Sequence, residues 1–139
     1  PPRSTLFPYT TLFRSQAKFT DAVVEYVLGE MERLKLIDDG AFARSYGQNR
    51  MVTHPVSKRL LERELKFKGL SEDEIRQGVT QAYEEQDESQ VARHLAVKRK
   101  KSVSHLDEDK AKKRVCDFLM RRGFGWDVIS DLLDNWDQL

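Results

Sequence analysis

Residues 59–75 read RLLERELKFKGLSEDEI, and residues 113–129 read KRVCDFLMRRGFGWDVI. At an offset of 54, Leu61, Leu65, Gly69, Leu70, Ile75 and Val79 fall on Val115, Leu119, Gly123, Phe124, Ile129 and Leu133. Apolar residues recur at helical spacing on both sides of each glycine, so each stretch predicts two helices joined by a tight turn. A glycine just past a helix end takes the left-handed conformation, and the apolar residue after it folds back on the last turn. Ser71 with Glu74 three residues on adds a capping box at the start of the next helix.

The preceding helix repeats as well. Ala43, Tyr46 and Arg50 fall on Ala92, Leu95 and Arg99 at an offset of 49, which gives the second copy a longer loop around Lys101 and Leu106. Asp38 and Asp39 are cap candidates for that first helix, and the Pro55 break with Ser57 opens the second. Phe19, Val24 and Leu28, shifted by 51, match Leu70, Ile75 and Val79, so the last helix of one more copy precedes both. The expected fold is all-α: tandem three-helix, helix-turn-helix-like repeats in an elongated, curved array. Residues 16–37 are the last helix of a partial first repeat, 38–86 the second repeat and 87–139 the third. Residues 5–15, TLFPYTTLFRS, look like a translated sequencing adapter, carry no period that continues into the chain and lack the apolar core of a secretion signal. Residues 1–15 are therefore expected to be foreign, and the first two helices of the first repeat are expected upstream.

Without Arg3 and Arg14 the net charge of +1 becomes −1, so the overall balance gives no argument for nucleic acid. The single cysteine, Cys116, excludes an internal disulfide and points to a reducing, cytoplasmic compartment. No apolar run approaches the ~20 residues that span a bilayer. A monomer is expected.

Nothing in the chain has the pattern of catalysis. Asp38–Asp39 reads as a helix cap and not as a metal or acid–base pair, and His54, His94 and His105 fall in different elements. Cys116 sits mid-helix between Val115 and Asp117 as a small, partly buried side chain. There is no phosphate-cradling glycine loop and no Cys-x-x-Cys pair, so no enzyme activity, no cofactor and no metal are expected. Trp126 and Trp136 read as anchors of the last repeat's core.

The basic residues are the informative ones. Lys58, Arg59 and Lys68 recur as Lys112, Lys113 and Arg122, and Arg63, Lys98, Arg99, Arg114 and Arg121 add to them. Lys100, in the run from Lys98 to Lys101, reads as a surface side chain whose removal costs little. Acids collect on the third helices, at Glu72, Asp73, Glu74, Asp127, Asp131 and Asp134. This segregation predicts a basic stripe on the first and second helices facing phosphates or an acidic partner.

Together these residues resemble the RecX family of RecA regulators. Residues 34–50, LKLIDDGAFARSYGQNR, look like the family's Leu-Asp-Asp-x-x-Phe-Ala signature. Pro55 with RLLERELKFKGLSEDEI resembles its second block, and KKRVCDFLMRRGF at residues 112–124 its third. His54 stands where the family has Gly before Pro. The resemblance implies a cytoplasmic protein that binds RecA or the RecA–DNA filament, contacts DNA non-specifically if at all, and inhibits the recombinase in repair, recombination and the SOS response. One alternative is a helix-turn-helix transcriptional regulator, disfavoured by acidic third helices that would face phosphates. Another is a helical-repeat scaffold for some other protein.

Overall fold

The structure is a computed structural model that describes residues 19–139, so the reading of residues 1–15 lies outside the described residues. Seven α-helices follow in order: α1 (Asp21–Arg33), α2 (Asp39–Thr53), α3 (Lys58–Phe67), α4 (Glu72–Ala82), α5 (Glu88–Ser102), α6 (Glu108–Arg121) and α7 (Trp126–Asp134). A 3₁₀ turn, Trp136–Gln138, ends the chain. The described residues contain no strand. The fold is all-α.

The helix ends lie where local chemistry puts them. Asp38 Oδ1 accepts from the Ala41 N–H at 2.8 Å, so the acidic pair opens α2 as a cap. Ser57 caps α3, and the Ser71–Glu74 box at α4 is complete, with a second box, Asp87–Gln90, at α5. Gly69 and Gly123 have φ of 84° and 85°. Behind each, two backbone bonds close the turn: Leu70 N–H to Leu65 O and Gly69 N–H to Lys66 O, repeated as Phe124 to Leu119 and Gly123 to Met120. Leu70 and Phe124 are both buried against the core. His54 sits at φ −147°, open to any residue, so a histidine there carries no backbone strain.

Helices α2 and α4 cross so closely that their backbones touch. A Cβ on Gly47 would lie 2.9 Å from the Gly78 carbonyl oxygen, and one on Gly78 would lie 2.9 Å from that of Ala43. The remaining core runs as one connected cluster from Ala43 through Leu61, Leu65, Val79, Val91, Leu95, Val115, Leu119 and Ile129 to Trp136. Both three-helix units therefore share one interior. Leu61, Leu65, Leu119 and Ile129 are wholly buried, each contributing about 1.5–3 kcal/mol by leaving water. Trp136 is an anchor, as expected. Trp126, at the first position of α7, is 64% exposed and is not.

The glycines make a test with opposite signs. Gly78→Ala should destabilise by about 1–3 kcal/mol, because the contact it enters is backbone that cannot rotate aside. Gly29→Ala in α1, where no other described residue lies within 4 Å, should stabilise by up to ~1 kcal/mol through helix propensity. Chemical denaturation of both variants measures the two differences.

Candidate partner-binding surface

The recurring cations divide into two classes once the helices are packed. The first helix of each unit places an arginine opposite the same position of the second. Arg50 binds Glu64 through two bonds of 3.0 Å, with Tyr46 Oη donating to the same carboxylate at 2.9 Å. Its counterpart Arg99 meets Phe118 where the first unit has Glu64, with the guanidinium 5.5 Å from the ring centre. One clamp is an ion pair and the other a cation–π contact. The Arg50 guanidinium and the Tyr46 hydroxyl, against the opposing effect of burial, hold the Glu64 carboxyl below its usual 4.5.

Other repeated positions are also spent inside the fold. Lys58 and Lys112, the equivalent residues on the second helices, lie 5.1 Å from the Tyr83 ring and 5.9 Å from the Trp136 ring. Lys112 also binds Glu108 at 2.5 Å. Lys68 stands 4.8 Å from the Tyr46 ring, and Arg122 stands 5.0 Å from Phe118. Each such contact contributes about 0.5–2 kcal/mol. These positions have a structural reason to recur. Lys100 corrects the expectation of a free surface lysine: its Nζ donates to the Trp136 carbonyl at 2.7 Å and sits 4.7 Å from that ring. The long loop and the chain's end brought that carbonyl within reach.

Seven of the eleven candidate cations are exposed, and six of these, all but Lys58, lie against no ring: Arg59 and Arg63 on α3, Lys98 on α5, and Lys113, Arg114 and Arg121 on α6. None of the six makes an ion pair among the described residues. Arg59, Arg63 and Lys66 share one helical face and line a shallow pocket with Glu62, Glu72 and Arg76. The sequence had left one exposed side chain at this face unmarked: Phe67, 93% exposed in the last turn of α3.

The junction between the units connects the two second helices. The C-terminus of α6 abuts the N-terminus of α3: the Ser57 N–H donates to the Arg122 carbonyl at 2.9 Å, and Arg122 Nη1 donates to the Pro55 carbonyl at 3.0 Å. A Cβ on Gly123 would lie 2.7 Å from Leu60 Cβ, so only glycine permits this approach. Glu88, from α5, accepts the exposed Lys58 N–H at 3.0 Å, and the buried Tyr83 hydroxyl donates to the Val56 carbonyl. Burial and nearby Arg50 push the pKa of Arg122 below its ordinary value. The junction thus joins α6, which carries Lys113, Arg114 and Arg121, end to end with α3, which carries Arg59 and Arg63. The two helices are roughly 21 and 15 Å long at 1.5 Å per residue, with Asp117 and Glu62 interspersed. Lys98 stands apart on α5.

Comparison with known proteins gives the family. Residues 38–79 match the family description "RecX, second three-helix domain" and residues 85–133 match "RecX, third three-helix domain". The regulatory protein RecX of Corynebacterium efficiens is 36% identical over 119 residues, covering 82% of this chain and 56% of that protein. That of Streptomyces coelicolor is 35% identical, covering 75% and 55%, and that of Chlorobium limicola 32% identical, covering 80% and 67%. The crystal structure of RecX from Lactobacillus salivarius superposes with a TM-score of 0.66 at 22% identity, covering 86% of this chain and 77% of that one. The chain spans a little over half the length of the first two of these relatives.

Two measurements separate the classes of cation. Arg122→Ala should cost about 1–3 kcal/mol by leaving the Pro55 carbonyl unpaired, and Arg121→Ala should stay within about 0.5 kcal/mol. The second concerns Glu64. Its lowered folded pKa gives stabilisation that is complete above 4.5 and is lost as pH falls through the folded value. The stability gap between the parent and Glu64→Gln should therefore be widest near neutrality and should shrink below pH 4.5 in thermal melts.

Proposed function

The chain belongs to the RecX family, and from that premise we propose that it binds RecA or the RecA–DNA filament in the cytoplasm and inhibits the recombinase. It does so by contact alone, with no reaction of its own and no cofactor. The observation that supports this reading is the junction, which joins α6 end to end with α3, and we take the exposed cations of the two helices as one track. A filament presents phosphates and acidic side chains at repeating intervals, and a track spanning two units meets them as linked sites. Residues 16–37 are read as the last helix of a further unit. A base-reading helix-turn-helix regulator fits less well, because α4 opens on Glu72, Asp73 and Glu74 and α7 carries Asp127, Asp131 and Asp134. No described helix is long and apolar enough to cross a membrane.

The variant to make reverses Arg59, Arg63, Lys113 and Arg121 to Glu together, and leaves Lys58 and Lys112 on their aromatic rings. Inhibition of filament ATPase should fall at least tenfold in half-maximal concentration, while helix content and thermal midpoint hold, because exposed charges contribute little to folding. The parent's inhibition should also weaken with added salt. Full inhibition by the folded four-site variant would move the contact surface off α3 and α6.

A further inference from the structure

A second surface lies between the two units, formed by elements that the basic track does not use. The ends of α2 and α4 and the start of α5 enclose a cleft of about 550 Å³. Its floor is apolar, from Met51, Ala82, Val91 and Leu95, and Val52 stands on its lip, 84% exposed. Glu84 and Glu85 rim it, and neither makes an ion pair among the described residues. No lysine or arginine among the described residues lines the cleft. The pocket on the α3 side, by contrast, is lined by Arg59, Arg63, Lys66 and Arg76. Among the described residues, the only other titratable group lining the cleft is His94, which is exposed.

We propose that this cleft docks a short cationic segment of a partner protein, one apolar side chain entering between Met51, Val91 and Leu95 while flanking lysines or arginines meet Glu84 and Glu85. An aliphatic or aromatic anchor supplies the affinity, and the unpaired carboxylates select against acidic segments. Gln48, Gln81 and Gln86, whose side-chain amides have no partner among the described residues, stand ready for the segment's backbone. The cleft and the track have opposite charge, so one partner contact does not compete with the other.

The probe is a fluorescein-labelled octapeptide with a central leucine pair flanked by two lysines and two arginines, read by anisotropy against the full chain. Saturable binding is expected, weakened at least tenfold by Glu84→Lys with Glu85→Lys and again by Val52→Asp; all three positions are exposed, so these variants fold. The same peptide with serines for leucines should bind at least tenfold more weakly, and reversal of Arg59 and Lys113 to Glu should not reduce binding. Equal binding by the serine peptide, or binding that survives both cleft variants, overturns the proposal. So does the absence of saturation up to millimolar peptide. Among the described residues, this chain itself carries such a segment, the bare Phe67 beside Arg63 and Lys66. If sedimentation shows concentration-dependent self-association abolished by Phe67→Ser, the cleft belongs to a second copy and the foreign segment is ruled out.

Discussion

The contact on which the rest depends is the meeting of one helix's last turn with another's first, at Arg122, Gly123 and Ser57. A helix end leaves carbonyls without partners and a helix start leaves N–H groups without partners. Joining the two satisfies a donor and an acceptor at once and sets the negative end of one dipole against the positive end of another. Gly123 makes the approach possible by lacking a side chain where Leu60 stands. Arg122 then fixes it, its guanidinium donating to the Pro55 carbonyl and lying over the Phe118 ring. Both candidate surfaces involve the elements this contact joins: it sets α6 end to end with α3, and Pro55, whose carbonyl Arg122 binds, lines the cleft.

The two units solve one packing problem with different chemistry. Tyr46, Arg50 and Glu64 tie the first helix to the second by charge in one unit, and Leu95, Arg99 and Phe118 do so by ring contact in the other. Arg50 and Arg99 are the same residue at the same repeated position with different partners. An arginine serves both because its planar guanidinium binds a carboxylate edge-on and stacks on an aromatic face. The close crossing of α2 and α4 is likewise particular to the first unit, where Gly47 and Gly78 stand in place of Ala96 and Leu132.

Recurrence was the strongest sign of function in the sequence, and packing divides it. Lys58, Lys68, Lys112 and Arg122 each lie against a ring, though the rings come from different positions in the two units: Tyr83 and Trp136 near the ends of the units, Tyr46 and Phe118 at the helix pairs. Arg63 does not recur, since Asp117 takes its place, yet it is among the exposed cations. Repetition in a solenoid reports what each unit needs in order to fold, and a partner surface belongs to the assembled array.

The sequence by itself determined the helices, their caps, the two left-handed glycines, the doubling of the unit and the family. Each of these follows from residues within four or five positions of one another, or from a period that persists whatever lies across the core. Only the tertiary structure decided which cations are free, that Lys100 is tied to the chain's end, that Trp126 is outside while Trp136 is inside, and that a cation-free cleft opens between the units. Those outcomes turn on the far end of a long side chain or on the gap between helices. Their partners are 36 positions away for Lys100 and 67 for Arg122. Helical periodicity says which way a side chain leaves its own helix, and nothing about what another helix has placed there.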